Sequence, residues 1–290
     1  MLKPLAFALA VLAGAASAQD RPVVATVNYP LAWMAERLGG DAIEVLFPVP
    51  EGRDPSFWRP GLSDIAAIQQ ADLIALNGAG FAAWTTRASL PRSRLIDTSS
   101  DLSGAFIATQ SVTHSHGEDG EHSHTGTASY TWLDFELAAG QAQALAAAMQ
   151  RRMPDLSDQV AETLPALLAD LDALDSHARE ALAALQGTTI IATHPRYQYF
   201  ARAYGLDIAA LEWEAGAMPG EAQWQDLQNM VTDTGAALLI WEAEPPREAR
   251  DRAAEMGLAS VIFAPLASRP ASGDFVSVMR AQVTDLAGRP

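Results

Sequence analysis

Four of the six histidines in this 290-residue chain fall in one short run, HSHGEDGEHSH, from His114 to His124. His114 and His116, then His122 and His124, form two i,i+2 pairs of imidazoles, with Glu118, Asp119 and Glu121 between them. Neutral imidazole backed by carboxylate suits borderline divalent cations such as zinc. A solubilising loop needs charge but has no need of two H-S-H repeats. Ordering a flexible segment around an ion costs conformational entropy, so such a site is expected to bind weakly and to take more than one ion.

Other chemistry is excluded by composition. With no cysteine, the chain has no disulfide, no thiolate metal site and no cysteine nucleophile. Lys3 is its only lysine. Schiff-base chemistry and a phosphate-loop lysine are therefore out of reach once Lys3 is gone. The first residues, MLKPLAFALAVLAGAASA, combine one lysine, a short apolar run and a small-x-small ending. This reads as a secretory signal peptide over residues 1–18, directing the chain to the periplasm. Formal net charge is −16, which favours cations and disfavours nucleic acid and anionic membrane. No cysteine stands ready for lipidation, so no membrane anchor is expected.

Outside the histidine run, the side chains of interest sit where short β-rich runs end. Val23–Asn28, Ile43–Val49, Leu73–Asn77 and Arg94–Asp97 read as strands, with Leu31–Leu38, Leu62–Ala71 and Phe81–Ala88 as helices among them. A second series has strands Thr189–Thr193, Ile208–Trp213, Leu238–Trp241 and Val261–Phe263. Its helices are Tyr197–Tyr204, Ala222–Thr232, Arg247–Met256 and Phe275–Leu286. Alternation of this kind predicts parallel sheets flanked by helices, and ligands of such sheets bind beyond the carboxyl ends of the strands. Those ends carry Asp54, Ser56 and Trp58 in a Pro/Gly-punctuated loop, then His194, then Trp213 and Glu214, then Glu242 and Glu244. His194 precedes Pro195, which holds it extended. A lone histidine is more often structural than a ligand, and Glu242 and Glu244 fit a solvated loop as well as a metal site.

Leucines and alanines recur every three or four residues from Leu156 to Leu185, which predicts one apolar-faced helix. Pro165 should kink it. A second helix, Phe135–Arg152, precedes it, and the polar stretch Ser100–Ser129 has no periodicity and reads as a long loop. The expected fold is α/β: two lobes of parallel sheet flanked by helices and joined by one long rigid helix. The lobes span 19–155, including a His-rich loop at 110–127, and 187–290, with the linking helix at 156–186.

Signal, lobe, acidic His-rich loop, long helix and second lobe, in that order, resemble the periplasmic zinc/manganese-binding proteins of ABC transporters. The segments that carry the resemblance are DPSFWRPGLSDIAAIQQADLIALNG (Asp54–Gly78), YTWLDFELA (Tyr130–Ala138), IIATHPRYQYFARAYGL (Ile190–Leu206) and WEAEPP. The resemblance implies a solute-binding protein, not an enzyme, that carries zinc or another divalent cation to an inner-membrane ABC permease as a monomer. It also implies four ligand positions, and three have changed. Ser56 and Tyr130 stand where histidines are expected, His194 is intact, and Ala264 stands where an acid is expected. One imidazole does not close a four-coordinate zinc site. Three readings stay open. Acids such as Asp54, Glu214 and Glu242 rebuild the site. Alternatively His114, His116, His122 and His124 hold the metal, as in a zinc buffer or metallochaperone. Or a cleft lined by Ser56, Trp58, Tyr130, Trp132, His194 and Trp213 takes a metal chelate or small organic ligand.

Overall fold

The computed structural model describes residues 21–109, 126–289 and, for the backbone alone, 113–116 and 120–123. The expected signal peptide lies outside the described residues, as does His124.

Two four-stranded parallel sheets make the frame. In the first lobe, β1 (Val23–Thr26), β2 (Glu44–Leu46), β3 (Leu73–Leu76) and β4 (Leu95–Asp97) lie in the order β2-β1-β3-β4. The second lobe is built from β7 (Thr189–Ala192), β8 (Asp207–Ala210), β9 (Leu238–Trp241) and β10 (Ala259–Ile262), in the order β8-β7-β9-β10. The two sheets thus share one topology. In each, the chain changes direction between the first and third strands, which leaves a crevice outside their carboxyl ends. The strands are short and nearly all apolar because helices cover them.

Helix α1 (Tyr29–Gly39) starts at Asn28, whose side chain accepts the Leu31 amide, and buries Leu31, Trp33, Met34 and Leu38. Helix α2 (Leu62–Gln70) follows the proline-rich loop. Helix α3 (Phe135–Arg152) is capped by Asp134, which accepts amide hydrogen bonds from Glu136 and Leu137. The long helix α4 runs from Ser157 to Ala181, and a 3-10 turn carries it on through Leu182–Leu185. At 1.5 Å per residue its 25 residues span about 38 Å. It passes through Pro165 as one helix, and its apolar stripe packs on α1 and α3 of the first lobe and on α8 (Phe275–Ala287) of the second. Helices α5 (Gln198–Tyr204), α6 (Glu221–Thr234) and α7 (Arg247–Glu255) complete the second lobe. One buried cluster runs from Val24 through Leu167, Leu171 and Leu174 to Phe263 and Leu286, so the lobes share a core.

Two departures from the sequence reading concern the site. No helix forms over Phe81–Ala88: only Ala83–Thr86 makes a 3-10 turn. Ala79 and Ala82 hold positive φ (50° and 55°) in a segment that also has Gly78 and Gly80 at positive φ, and left-handed residues break a right-handed helix. The stretch Ser100–Ser129 is not structureless. It holds a 3-10 turn at Ser100–Ala105, an antiparallel bridge between Ala108 and Thr127, and strands β5 (Thr113–His116) and β6 (Gly120–Ser123), paired antiparallel with His114 opposite His122.

Candidate functional site

The polar residues at the strand ends are fixed from below. At the ends of β1 and β3, the Asn28 amide donates to Asn77 Oδ1 at 3.1 Å, and both are buried. Gln141 of α3 donates to the same oxygen at 3.1 Å and to Thr98 at 3.0 Å, and accepts from Thr131 at 3.1 Å. Asn77 Nδ2 in turn donates to the Ser129 carbonyl at 2.9 Å. This closed network pins the segment Ser129–Thr131 and so holds Tyr130 over the cleft.

Tyr130 lies 3% exposed, its ring against Trp132 at 4.8 Å and Phe81 at 5.6 Å. Its hydroxyl donates to Ser56 Oγ at 3.2 Å and lies 3.5 Å from Asp54 Oδ1. Burial pushes the phenol well above its ordinary pKa, and Asp54 and Glu242 reinforce that against the opposing pull of Arg196. It is therefore neutral and a poor metal ligand. Asp54 Oδ1 accepts from the amide of Ser56 at 2.8 Å and from its hydroxyl at 2.7 Å, an Asx turn that shapes the loop. The Ser56 hydroxyl is thus spent on a carboxylate.

From the second lobe, β7 is followed by Thr193-His194-Pro195-Arg196. The Arg196 amide donates back to the His194 carbonyl at 2.9 Å, a three-residue turn for which the fixed φ of Pro195 is well suited. That turn sets His194 and Arg196 side by side. His194 is 4% exposed, and its Nδ1 donates to the Trp213 carbonyl at 2.8 Å. A carbonyl only accepts, so Nδ1 carries a proton and Nε2 is the nitrogen with ligand character. Nδ1 also lies 3.8 Å from Glu242 Oε2.

Arg196 is the central charge, and the sequence reading passed over it. It is 5% exposed. Its Nη2 reaches Asp54 Oδ2 at 2.6 Å, and its Nε lies 3.3 Å from Glu242 Oε1. The guanidinium carbon stands 4.6 Å from the Tyr130 ring centroid and 5.1 Å from that of Phe57. Burial opposes its charge, yet the surrounding groups, Glu242 and Asp54 among them, hold it firmly protonated. Burial also raises the pKa of Glu242, with Arg196 opposing. Glu242 Oε2 is buried and, among the described residues, has no hydrogen-bond partner.

Asp54, Ser56, Tyr130, His194 and Glu242 therefore meet in one cleft, around an arginine. Trp58 stands at its edge, in edge-to-face contact with Trp84 at 5.8 Å. It lines a cavity of about 630 Å³ together with Ser56, Arg59, Trp84 and Arg87. Trp132 does not line the cleft. It is fully buried beneath Tyr130, its indole donating across the lobe boundary to the Pro265 carbonyl at 2.7 Å. Trp213 is buried and contributes its carbonyl. Glu214 is exposed, on a smaller surface hollow with Glu212 and Met218. Ala264 supplies no ligand, and its backbone pairs with the Gln282 amide at 2.6 and 3.1 Å. Among the described residues, no group of three or more His, Asp or Glu side chains converges as a metal ion needs. The imidazoles of His114, His116, His122 and His124 fall outside the residues whose side chains are described.

Two lobes of parallel sheet share a long helix, with a cleft at the carboxyl ends of both sheets. Zinc-bound AdcA of Streptococcus pneumoniae has the same fold, with a TM-score of 0.78 at 19% identity over 92% of this chain and 57% of that one. A solved ZnuA gives a TM-score of 0.71 at 24% identity over 92% and 98%. The family of periplasmic zinc-uptake complex component A (ZnuA) matches residues 23–288, and the chain belongs to that family. Among curated relatives, the manganese ABC transporter substrate-binding lipoprotein PsaA of Streptococcus pneumoniae is 28% identical, over 68% of this chain and 64% of its own length. The high-affinity zinc uptake protein ZnuA of Paracoccus denitrificans is 26% identical over 84% and 83%. The chain spans between 53% and 64% of the length of the first curated relatives it matches. Among the described residues, no helix is long and apolar enough to cross a membrane.

Proposed function

We propose that this protein is the periplasmic solute-binding component of a divalent-metal ABC transporter, with zinc as its cargo and an inner-membrane permease as its partner. The observation that carries this reading is the family pattern, which runs through both lobes and the helix between them, over residues 23–288. The histidine run His114–His124 supports zinc specifically, because paired imidazoles with intervening carboxylates favour that ion. Binding and release, without bond making, is the chemistry such a site performs. Zinc titration by calorimetry, on untagged protein purified from its native compartment and stripped of metal, tests it. One-site or few-site saturable binding is the expected result, and no heat of binding would sink the zinc assignment.

A second reading is favoured by two features of the cleft. A buried arginine fills its centre, and the adjoining cavity of about 630 Å³ is lined by two tryptophans and two arginines. Such a lining suits an anionic chelate of the metal, or a small organic anion, better than a bare cation. The cargo remains a metal in the first case and changes in the second.

A further inference from the structure

The chain carries a formal net charge of −16, yet the central charge in its cleft is a buried cation of its own. Arg196 reaches from the second lobe to the Asp54 carboxylate of the first at 2.6 Å, while Glu242 lies against it at 3.3 Å. Its planar head is held between the Tyr130 and Phe57 rings, both from the first lobe, at 4.6 and 5.1 Å. Stacking and forked hydrogen bonding are contacts that a guanidinium makes and a spherical ion does not.

We infer that Arg196 stands where a cargo cation would stand, closing the cleft on the chain's own guanidinium and excluding a bare divalent ion from it. This deepens the reading of the cleft as a solute site and rests on that reading. Two observations argue for it together. The acids that could hold a metal are turned onto the arginine, so a divalent ion has to displace a covalently tethered competitor of the same sign. Next, the donor set beneath the arginine is incomplete without a cation. Asp54 and Glu242 both lie against the guanidinium, His194 Nδ1 lies 3.8 Å from Glu242 Oε2, and that buried oxygen has no hydrogen bond among the described residues. A carboxylate buried in this way needs a positive neighbour. The side chain at position 196 is therefore the specificity determinant. With arginine the charge of Asp54 and Glu242 is balanced without metal; with a neutral side chain that charge is left for a cation from solution, and the side chains must close in to ligate it.

The test uses the full chain with His114, His116, His122 and His124 all changed to alanine, so that only the cleft reports. Zinc sulfate and manganese chloride are the probes, followed by calorimetry. That protein is expected to bind neither ion tighter than about millimolar. Adding Arg196→Ala or Arg196→Met is expected to create one zinc site at least about a hundredfold tighter, and a further His194→Ala or Glu242→Gln abolishes the gain. If a neutral residue at 196 prevents folding without metal, zinc must raise the melting temperature of both variants. The inference is overturned if the quadruple variant already binds zinc tightly at one site. It is equally overturned if neither arginine variant gains affinity or zinc-dependent stability. Zinc transport as such is judged separately, on the unaltered chain, whose failure to bind zinc leaves the arginine result standing.

Discussion

The guanidinium of Arg196 and the carboxylate of Asp54 meet at 2.6 Å across the two lobes, from positions 142 residues apart. Arginine is 6% exposed at its side chain and aspartate 31%, so water screens one end only. Removing the aspartate leaves a buried cation with Glu242 as its nearest carboxylate and the Ser56 hydroxyl at 3.5 Å. Asp54→Ala is expected to lower stability by about 2–3 kcal/mol in urea unfolding. Asp54→Asn keeps an acceptor for the Ser56 hydrogen bonds and should cost less. Equal losses for the two variants would assign the whole effect to the charge pair, and a loss confined to Asp54→Ala would assign it to the Asx turn.

Zinc affinity should depend on the loop more than on the strand-end histidine. In the unaltered cleft, Ser56 and Tyr130 offer a neutral hydroxyl and a neutral phenol, and the nearby acids are engaged by Arg196. Changing the four loop histidines to alanine is expected to weaken zinc binding far more than His194→Ala does. The reverse order, read by calorimetry, would mean that the cleft acids hold the ion after all.

Helix α8 begins at Asp274, whose carboxylate accepts the Ser277 amide at 2.8 Å. Burial pulls its pKa up, but the hydrogen bonds from the Ser277 hydroxyl and amide outweigh that and leave it below the ordinary value of 3.8. A depressed carboxylate contributes stability that is present above the unfolded pKa and lost as pH falls through the folded one. Asp274→Ala should therefore cost about 1 kcal/mol at neutral pH. The difference from the parent should narrow as pH drops below about 4. A gap that stays constant to low pH would assign the loss to the capping hydrogen bond irrespective of charge.

Gln141 is the hub beneath Tyr130, donating to Asn77 and Thr98 and accepting from Thr131. Gln141→Ala removes one side chain and leaves three buried polar groups short of a partner. A loss of about 2–4 kcal/mol is expected in chemical denaturation. The tyrosine fluorescence or aromatic NMR shifts of the cleft should change with it, since Ser129–Thr131 loses its anchor. A loss below about 0.5 kcal/mol would place the network outside the stability-determining core.

The frame was legible because its signals are local. The leucine spacing from Leu156 to Leu185 specifies α4, and Leu238–Trp241 is a strand with the bounds read from sequence. Phe81–Ala88 has helical composition, but nothing in composition announces that Ala79 and Ala82 are left-handed. Asp54, Ser56, Tyr130, His194 and Glu242 were legible because strand ends and motif order place them. Arg196 escaped notice because an arginine two residues past a histidine reads as solvent-exposed charge. Its partner Asp54 is far away in the chain, so no spacing rule connects them. The available clue was the turn chemistry of His194-Pro195-Arg196, which puts both side chains on one side of the chain. Trp132 was misplaced for a related reason: a tryptophan beside a cleft residue looks the same in sequence whether it faces the cleft or the core.

The buried cluster that passes unbroken from Val24 through α4 to Leu286 also sets how the molecule melts. The second lobe also buries a cluster of its own around Trp213, Trp224 and Trp241, but the larger one is shared, so the halves are expected to melt together, and calorimetry should record a single endotherm whose van't Hoff and measured enthalpies agree. A nick within α4 would strip both fragments of the leucines that seal them and leave two sticky pieces in place of two working modules. Opening of the cleft, on this account, is a bend tolerated by one cooperative body, and its amplitude is capped by how far Leu167, Leu171 and Leu174 can slide without letting water in.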